Sequence, residues 1–241
     1  MTNPKESLCF ALDVPGTGEA EKLVRMLAPY VGLFKVGLEL FVKEGPGLLT
    51  SIHQWGAEKI FLDLKFHDIP RTVRQAQQSA GHHPVNYLSV HSECIRNRQD
   101  QSERWDAKGL PGLLGITVLT SLAEGDLASL GYSSRISLME LVLLRAKIAQ
   151  EAGCAGVVCS GKEVQKVREQ AGSDFIILTP GVRPAWASVA KDDQARIFTP
   201  YEAIRSGSDF VVIGRPIHSA PDPREAAEKI LKEIALGYRD R

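Results

Sequence analysis

No stretch of the 241-residue chain approaches 18 consecutive apolar side chains, so no transmembrane helix is expected. Met1 to Ser7 is polar and lacks the apolar core of a signal peptide, which makes the cytoplasm the expected compartment. Neither sign of charge is in excess. Lys plus Arg and Asp plus Glu each number 29. A formal net charge of zero argues against a general nucleic-acid coat and against a polybasic membrane binder. Cysteine is scarce and unpatterned: Cys9, Cys94, Cys154 and Cys159 form no Cys-x-x-Cys pair, so buried, reduced thiols are expected. The chain has neither His-x-x-x-His nor Glu-x-x-His spacing, and the adjacent His82 and His83 point different ways on any regular element. A dedicated zinc site, or any metal site, is not expected. Gly16-Thr17-Gly18 lacks the third glycine of a dinucleotide-binding turn, because Glu21 stands there.

What is present is a globular composition, 44% hydrophobic and 24% charged, with no linker or low-complexity tract. One domain, residues 1–241, is expected. Short apolar runs rich in β-branched residues recur at Leu8–Val14, Phe34–Leu40, Lys59–Lys65, Tyr87–His91, Leu113–Leu119, Ala155–Ser160, Phe175–Gly181 and Phe210–Ile217. Helical patterns lie between them at Thr17–Pro29, Pro70–Gly81, Leu138–Gly153, Lys162–Gly172, Pro200–Gly207 and Pro223–Gly237, with weaker ones at Gly45–Trp55 and Ser92–Ala107. Thr17 is a candidate cap, Pro70 and Pro223 suit a first helical turn, and Gly153, Gly172 and Gly207 can end helices. Eight strand–helix units of roughly thirty residues each are the content of an α/β fold of the (β/α)8, or TIM, barrel type. A doubly wound open sheet is the alternative, weakened by the missing nucleotide fingerprint.

The third strand carries the chemistry. Side chains alternate faces along a strand. Ile60, Leu62 and Leu64 would meet the helices, while Phe61, Asp63 and Lys65 would point into the barrel. Asp63 and Lys65 then stand together at the carboxyl end, where barrel active sites lie, and Asp68 follows on the loop. Isolated charges of this kind are usually solvated surface pairs. Inward-facing charges after an apolar strand are costly to bury and need a reason. The first two strands add Asp13, in line with Cys9 and Ala11, and Lys35, opposed to Phe34, Val36 and Leu38. If Asp13, Lys35, Asp63 and Lys65 form a chain of alternating sign, it favours Lys65 as an ammonium. An ammonium is a proton donor or a counter-charge, and a poor Schiff-base nucleophile.

At the other end of the chain, strand seven runs into Thr179-Pro-Gly-Val-Arg-Pro184 and strand eight into Gly214-Arg215-Pro216. These are the two positions where barrels commonly hold phosphate. Glycine lets backbone amides approach the anion, and arginine matches its oxygens. Gln194, in the long loop after strand seven, is a further candidate amide donor.

The segment Asp63-Leu-Lys-Phe-His-Asp-Ile-Pro-Arg-Thr72 resembles the signature of the orotidine 5′-phosphate decarboxylase family. Similar stretches include Ala11-Leu-Asp13, Phe34-Lys-Val-Gly-Leu-Glu39, Thr117-Val-Leu-Thr-Ser121, Thr179–Pro184, Asp193-Gln-Ala-Arg196 and Gly214-Arg-Pro216. The resemblance implies a cofactor-free, homodimeric barrel that converts orotidine 5′-phosphate to uridine 5′-phosphate and carbon dioxide. It implies catalytic roles for Lys65, Asp63, Lys35 and Asp68, the last reaching into the partner subunit's site. Asp13 and Thr72 would contact the ribose region, Thr120 the pyrimidine, and Arg183, Gln194, Gly214 and Arg215 the phosphate. The alternatives are a metal-dependent sugar-phosphate decarboxylase or epimerase of the same superfamily, and a non-catalytic phosphate-ligand sensor. One stretch departs from the pattern. The family usually has His-Ala-x-Gly-Gly after strand four, whereas this chain has His91-Ser-Glu-Cys-Ile and then a polar run to Trp105. The local loop and the fourth helix are therefore expected to depart from the family pattern.

Overall fold

A computed structural model describes residues 3–95, 105–132, 135–187 and 198–241. Eight strands, β1 (Leu8–Ala11), β2 (Leu33–Gly37), β3 (Ile60–Phe66), β4 (Tyr87–His91), β5 (Gly112–Ile116), β6 (Gly156–Val158), β7 (Ile176–Thr179) and β8 (Phe210–Ile213), pair in chain order. All pairings are parallel, and β8 returns to β1, which closes the sheet into a (β/α)8 barrel. Closure leaves no free edge.

Ten α-helices follow among the described residues: α1 (Thr17–Leu27), α2 (Leu38–Glu44), α3 (Gly47–Gln54), α4 (Pro70–Ala80), α5 (Asp126–Ser129), α6 (Leu138–Ala152), α7 (Val164–Ala171), α8 (Pro200–Ser206), α9 (Arg215–His218) and α10 (Pro223–Arg239). None is long and apolar enough to cross a membrane. The strand alternation splits the core in two. Phe34, Val36, Ile60, Leu62, Leu88 and Val90 face outward into the layer shared with the helices. Cys9, Ala11, Leu33, Phe61, Leu114, Leu178, Phe210 and Val212 fill the interior. The sidedness expected for β1, β2 and β3 is therefore observed, and all four cysteines are buried free thiols.

Several boundaries differ from the sequence expectation. The apolar run Phe34–Leu40 is a strand only to Gly37. Leu38 opens α2 and is half-exposed, because an apolar stretch can cross a strand-to-helix junction without changing composition. In the same way the run Phe210–Ile217 ends as a strand at Ile213, and Arg215 starts a one-turn helix. Thr17 is the first helical residue and not the cap, which is Gly16. Gly153, Gly172 and Gly207 do end helices at positive φ. Gly237 does not. It lies inside α10, where a β-carbon would come within 2.9 Å of Ile204 Cβ and 2.8 Å of the Tyr201 carbonyl, so it serves close packing of α10 on α8. The weak helix at Ser92–Ala107 begins as a 3-10 turn, Ser92–Ile95, that buries Cys94 and Ile95 in the outer core. Residues 96–104 of that segment lie outside the described residues. Ser92 sends its hydroxyl to the Ile116 carbonyl at 3.0 Å and fits because Gly115 beside it has no side chain.

Gly156 in β6 is the tightest such point, since a β-carbon there would overlap the Ile176 carbonyl of β7. Neither strand of a closed barrel can withdraw freely. Gly156→Ala should therefore destabilise the fold by about 1–3 kcal/mol, the usual cost of overpacking. Urea unfolding checks this, and an unchanged midpoint would show that the barrel opens there without strain.

Candidate active site

The carboxyl ends of the strands surround a cavity of about 290 Å³. Ala11, Phe61, Ile116, Val158, Leu178 and Val212 supply apolar lining, and the polar lining includes Asp13, Lys35, Asp63, Lys65, Thr120, Arg183, Gly214 and Arg215. Eight of the eleven residues singled out from the sequence thus share one cavity. Asp68 and Thr72 do not line it and are exposed, with Asp68 Oδ1 accepting the Ile69 N–H at 2.6 Å. Gln194 lies outside the described residues.

The charged residues do form the alternating chain. Lys35 Nζ is 2.9 Å from Asp13 Oδ1 and 3.8 Å from Asp63 Oδ2, and Lys65 Nζ is 2.8 Å from the same Asp63 oxygen. Asp63 is only 8% exposed. An unpaired carboxylate at that depth would be strongly unfavourable, so its two ammonium neighbours are a condition of its being charged there. Burial by itself lowers the pKa of Lys35. The charges of Asp13 and Asp63, with the Asp13 hydrogen bond, outweigh burial and move it upward overall. Gly37 keeps room for this pair, since a β-carbon there would lie 2.9 Å from Asp13 Oδ1.

Cys9 sits below the chain on the inward face of β1. Burial pushes its thiol well above the ordinary range, with Lys35 opposing, so it is an inert floor residue. On the rim His91 stacks on His67 with ring centroids 4.6 Å apart. Burial, aided by His67, Arg145 and Lys65, lowers the pKa of His91 against the opposite pull of Glu93. Glu93, in the departing segment, pairs with Arg145 at 3.0 Å, and Arg145 also donates to the Thr117 carbonyl. The segment thereby braces the β5 loop that carries Thr120.

Sequence reasoning missed two contributors, Gly37, which leaves room for the Asp13–Lys35 pair, and the polar Ser89. Ser89 is fully buried in β4 and hydrogen-bonds both Asp63 and the Lys65 backbone. A polar residue in phase with Tyr87 and His91, between Leu88 and Val90, was the available signal.

Comparison with known proteins matches residues 6–230 to the model of the orotidine 5′-phosphate decarboxylase / HUMPS family. The chain belongs to this family. A protein of Desulfosudis oleivorans named orotidine 5′-phosphate decarboxylase is 44% identical over 234 residues, spanning 96% of this chain and 94% of the relative. One of the same name from Gloeothece citriformis is 45% identical, over 93% of this chain and 95% of the relative. The crystal structure of orotidine 5′-phosphate decarboxylase from Lactobacillus acidophilus superposes with a TM-score of 0.77 at 35% identity. It covers 95% of this chain and 98% of that one.

Family membership extends over nearly the whole barrel, including the strands that carry the charged four and both glycine–arginine loops. Lys35 is informative on geometric grounds, because its ammonium lies between two carboxylates. The folded pKa of Lys35 lies above the ordinary 10.5. Its ionic contribution to stability is therefore full below 10.5 and lost as pH rises through the folded value. Lys35→Met should be less stable than wild type at neutral pH, and the gap should narrow above pH 10.5. Urea midpoints of both proteins across alkaline pH read the gap. A gap that keeps its size at the most alkaline pH where both fold would contradict the ionic account.

Proposed function

We propose that the protein decarboxylates orotidine 5′-phosphate to uridine 5′-phosphate and carbon dioxide, the last step of UMP synthesis. It does so as a cofactor-free carboxy-lyase of one barrel domain, working as a cytoplasmic homodimer. The observation that carries the proposal is the chain Asp13–Lys35–Asp63–Lys65 at one side of a cavity whose other strands present Arg183, Gly214 and Arg215.

The substrate phosphate lies against Arg183, Gly214 and Arg215, with Gln194 as a further donor. The pyrimidine lies by Thr120, and the ribose by Asp13 and Thr72. C6 then points to Lys65 and its carboxylate to Asp63. The C6–carboxylate bond breaks, carbon dioxide leaves, and the electron pair stays on C6. The Lys65 ammonium stabilises that charge in place and gives it a proton, after which Lys65 takes one from solvent. Water is largely displaced from this apolar-floored cavity, which strengthens the attraction. Repulsion between Asp63 and the substrate carboxylate adds to the drive. The phosphate grip supplies binding energy remote from the reacting carbon and orients the ring.

Two other readings fit less well. A metal-dependent sugar-phosphate enzyme needs acidic groups open to an ion, whereas Lys35 already occupies the place between Asp13 and Asp63. A non-catalytic sensor would have no use for a lysine held against a nearly buried carboxylate.

Lys65→Ala tests the chemistry. Turnover should fall by about four orders of magnitude or more, since charge stabilisation and proton transfer each supply roughly a hundredfold. Affinity for uridine 5′-phosphate should change far less. Turnover within tenfold of wild type, in folded protein, removes Lys65 from the mechanism. Mixing tests the shared site. If Asp68 completes the partner subunit's cavity, Lys65→Ala and Asp68→Ala chains form hybrid dimers with one intact site. Full exchange should then restore roughly a quarter of wild-type activity. Absence of recovery despite demonstrated exchange would assign Asp68 elsewhere.

A further inference from the structure

Ser89 lies fully buried in the middle of β4, and its hydroxyl is used twice. It accepts the backbone N–H of Lys65 at 2.8 Å and donates to Asp63 Oδ1 at 2.8 Å. The directions are fixed, because an amide N–H can only donate, and the single hydroxyl hydrogen is then left for the carboxylate. Asp63 Oδ1 is thereby occupied, and Oδ2 is the oxygen that meets Lys65 Nζ.

The strand register explains the need. β3 and β4 pair as Phe61 with Tyr87 and Leu62 with Leu88, then resume only at Phe66 with Val90. Asp63, Leu64 and Lys65 therefore all stand opposite Ser89. The bulge interrupts the regular ladder just where both key side chains must enter the cavity. Lys65 has φ of 51°, the one positive value of a non-glycine residue among the described residues. Such a conformation persists only where the surroundings hold it, and the Ser89 oxygen replaces the ladder bond that the bulge removes. One hydroxyl ties the strained backbone of the lysine to the carboxylate that pairs with the same lysine's ammonium.

We propose that Ser89 is a positioning residue for the decarboxylation, acting through Asp63 and the Lys65 backbone. The proposal rests on the roles given to those two residues above. Ser89 does not line the cavity, so its loss reaches the substrate only through them.

The test is steady-state kinetics on purified wild type, Ser89→Ala, Asp63→Ala, the double variant and Lys65→Ala, each with its affinity for uridine 5′-phosphate. Ser89→Ala should lower kcat by about ten- to a hundredfold, the range for a lost hydrogen bond to a charged group. KM and product affinity should stay within about threefold, because the phosphate grip is on other strands. In the Asp63→Ala background the same substitution should cost several-fold less, because one of its two partners is already gone. If Ser89→Ala does not fold, Ser89→Cys, of similar size and with a weak donor, takes its place under the same criteria. A kcat within threefold of wild type overturns the proposal. So does an equal loss in product affinity, or an undiminished cost in the Asp63→Ala background. Wild-type turnover in Lys65→Ala would instead overturn the decarboxylation mechanism. A collapse there with no effect at Ser89 rejects the positioning role alone.

Discussion

Asp63 is a carboxylate held where water scarcely reaches, midway along a strand in which Lys65 is the one other charged residue. Its surroundings are best understood as what makes that possible. Lys65 and Lys35 face it, Asp13 balances Lys35, and Ser89 donates to its second oxygen. Removing any one of these would leave a charge partly uncompensated in a poorly solvated place. The four charged residues therefore behave as one unit. In the mechanism proposed above, an ammonium held in such a unit is already oriented before substrate arrives, so it needs little reorganisation when negative charge develops beside it.

The barrel provides the positions. β1, β2 and β3 are neighbours in the sheet, so Asp13 just past β1, Lys35 within β2, and Asp63 and Lys65 within β3 suffice to build the chain. β7 and β8 bring Arg183, Gly214 and Arg215 to the same mouth from more than a hundred residues further along the sequence. The closure of β8 onto β1 joins these two groups, because Gly214 packs against Ala11 with room for little else. The pairing that removes the sheet edge thus also sets Gly214 and Arg215 beside the charged chain.

Much of this was legible in the sequence. Period-two alternation on β3 separated Asp63 and Lys65 from Leu62 and Leu64, and the structure keeps that sidedness. The glycine–arginine pairs were recognisable because strand order in a barrel follows chain order. Other features were not legible, for physical reasons. Register is a relation between two strands, so the bulge opposite Ser89 has no signature within either one. Helix α2 was hidden because Leu38 and Leu40 continue the apolar character of β2. The helical pattern Pro223–Gly237 stops two residues short of the end of α10, because Gly237 serves the approach of α10 to α8, a tertiary demand that overrides local propensity. Asp68 and Thr72 were grouped with the site by resemblance, and in this chain they stand outside its own cavity.

Charge alone would not make the mouth of this barrel a site, because room is also needed. Most (β/α)8 interiors are filled by large branched side chains. Here small residues stand at the points that matter. Ala11 and Gly214 face each other at the seam, and Gly37 lies against the Asp13–Lys35 pair, where a β-carbon would crowd both. Phe61, Leu178 and Val212 close the floor one layer lower, so the space above them is shallow and open to the strand ends. A ligand entering this space covers the charged chain and displaces the remaining water from it. Attraction between the ammonium groups and any charge on the ligand then strengthens as water leaves. The small residues thus determine where a ligand can lie, and by doing so they determine how strongly the charged ones act on it.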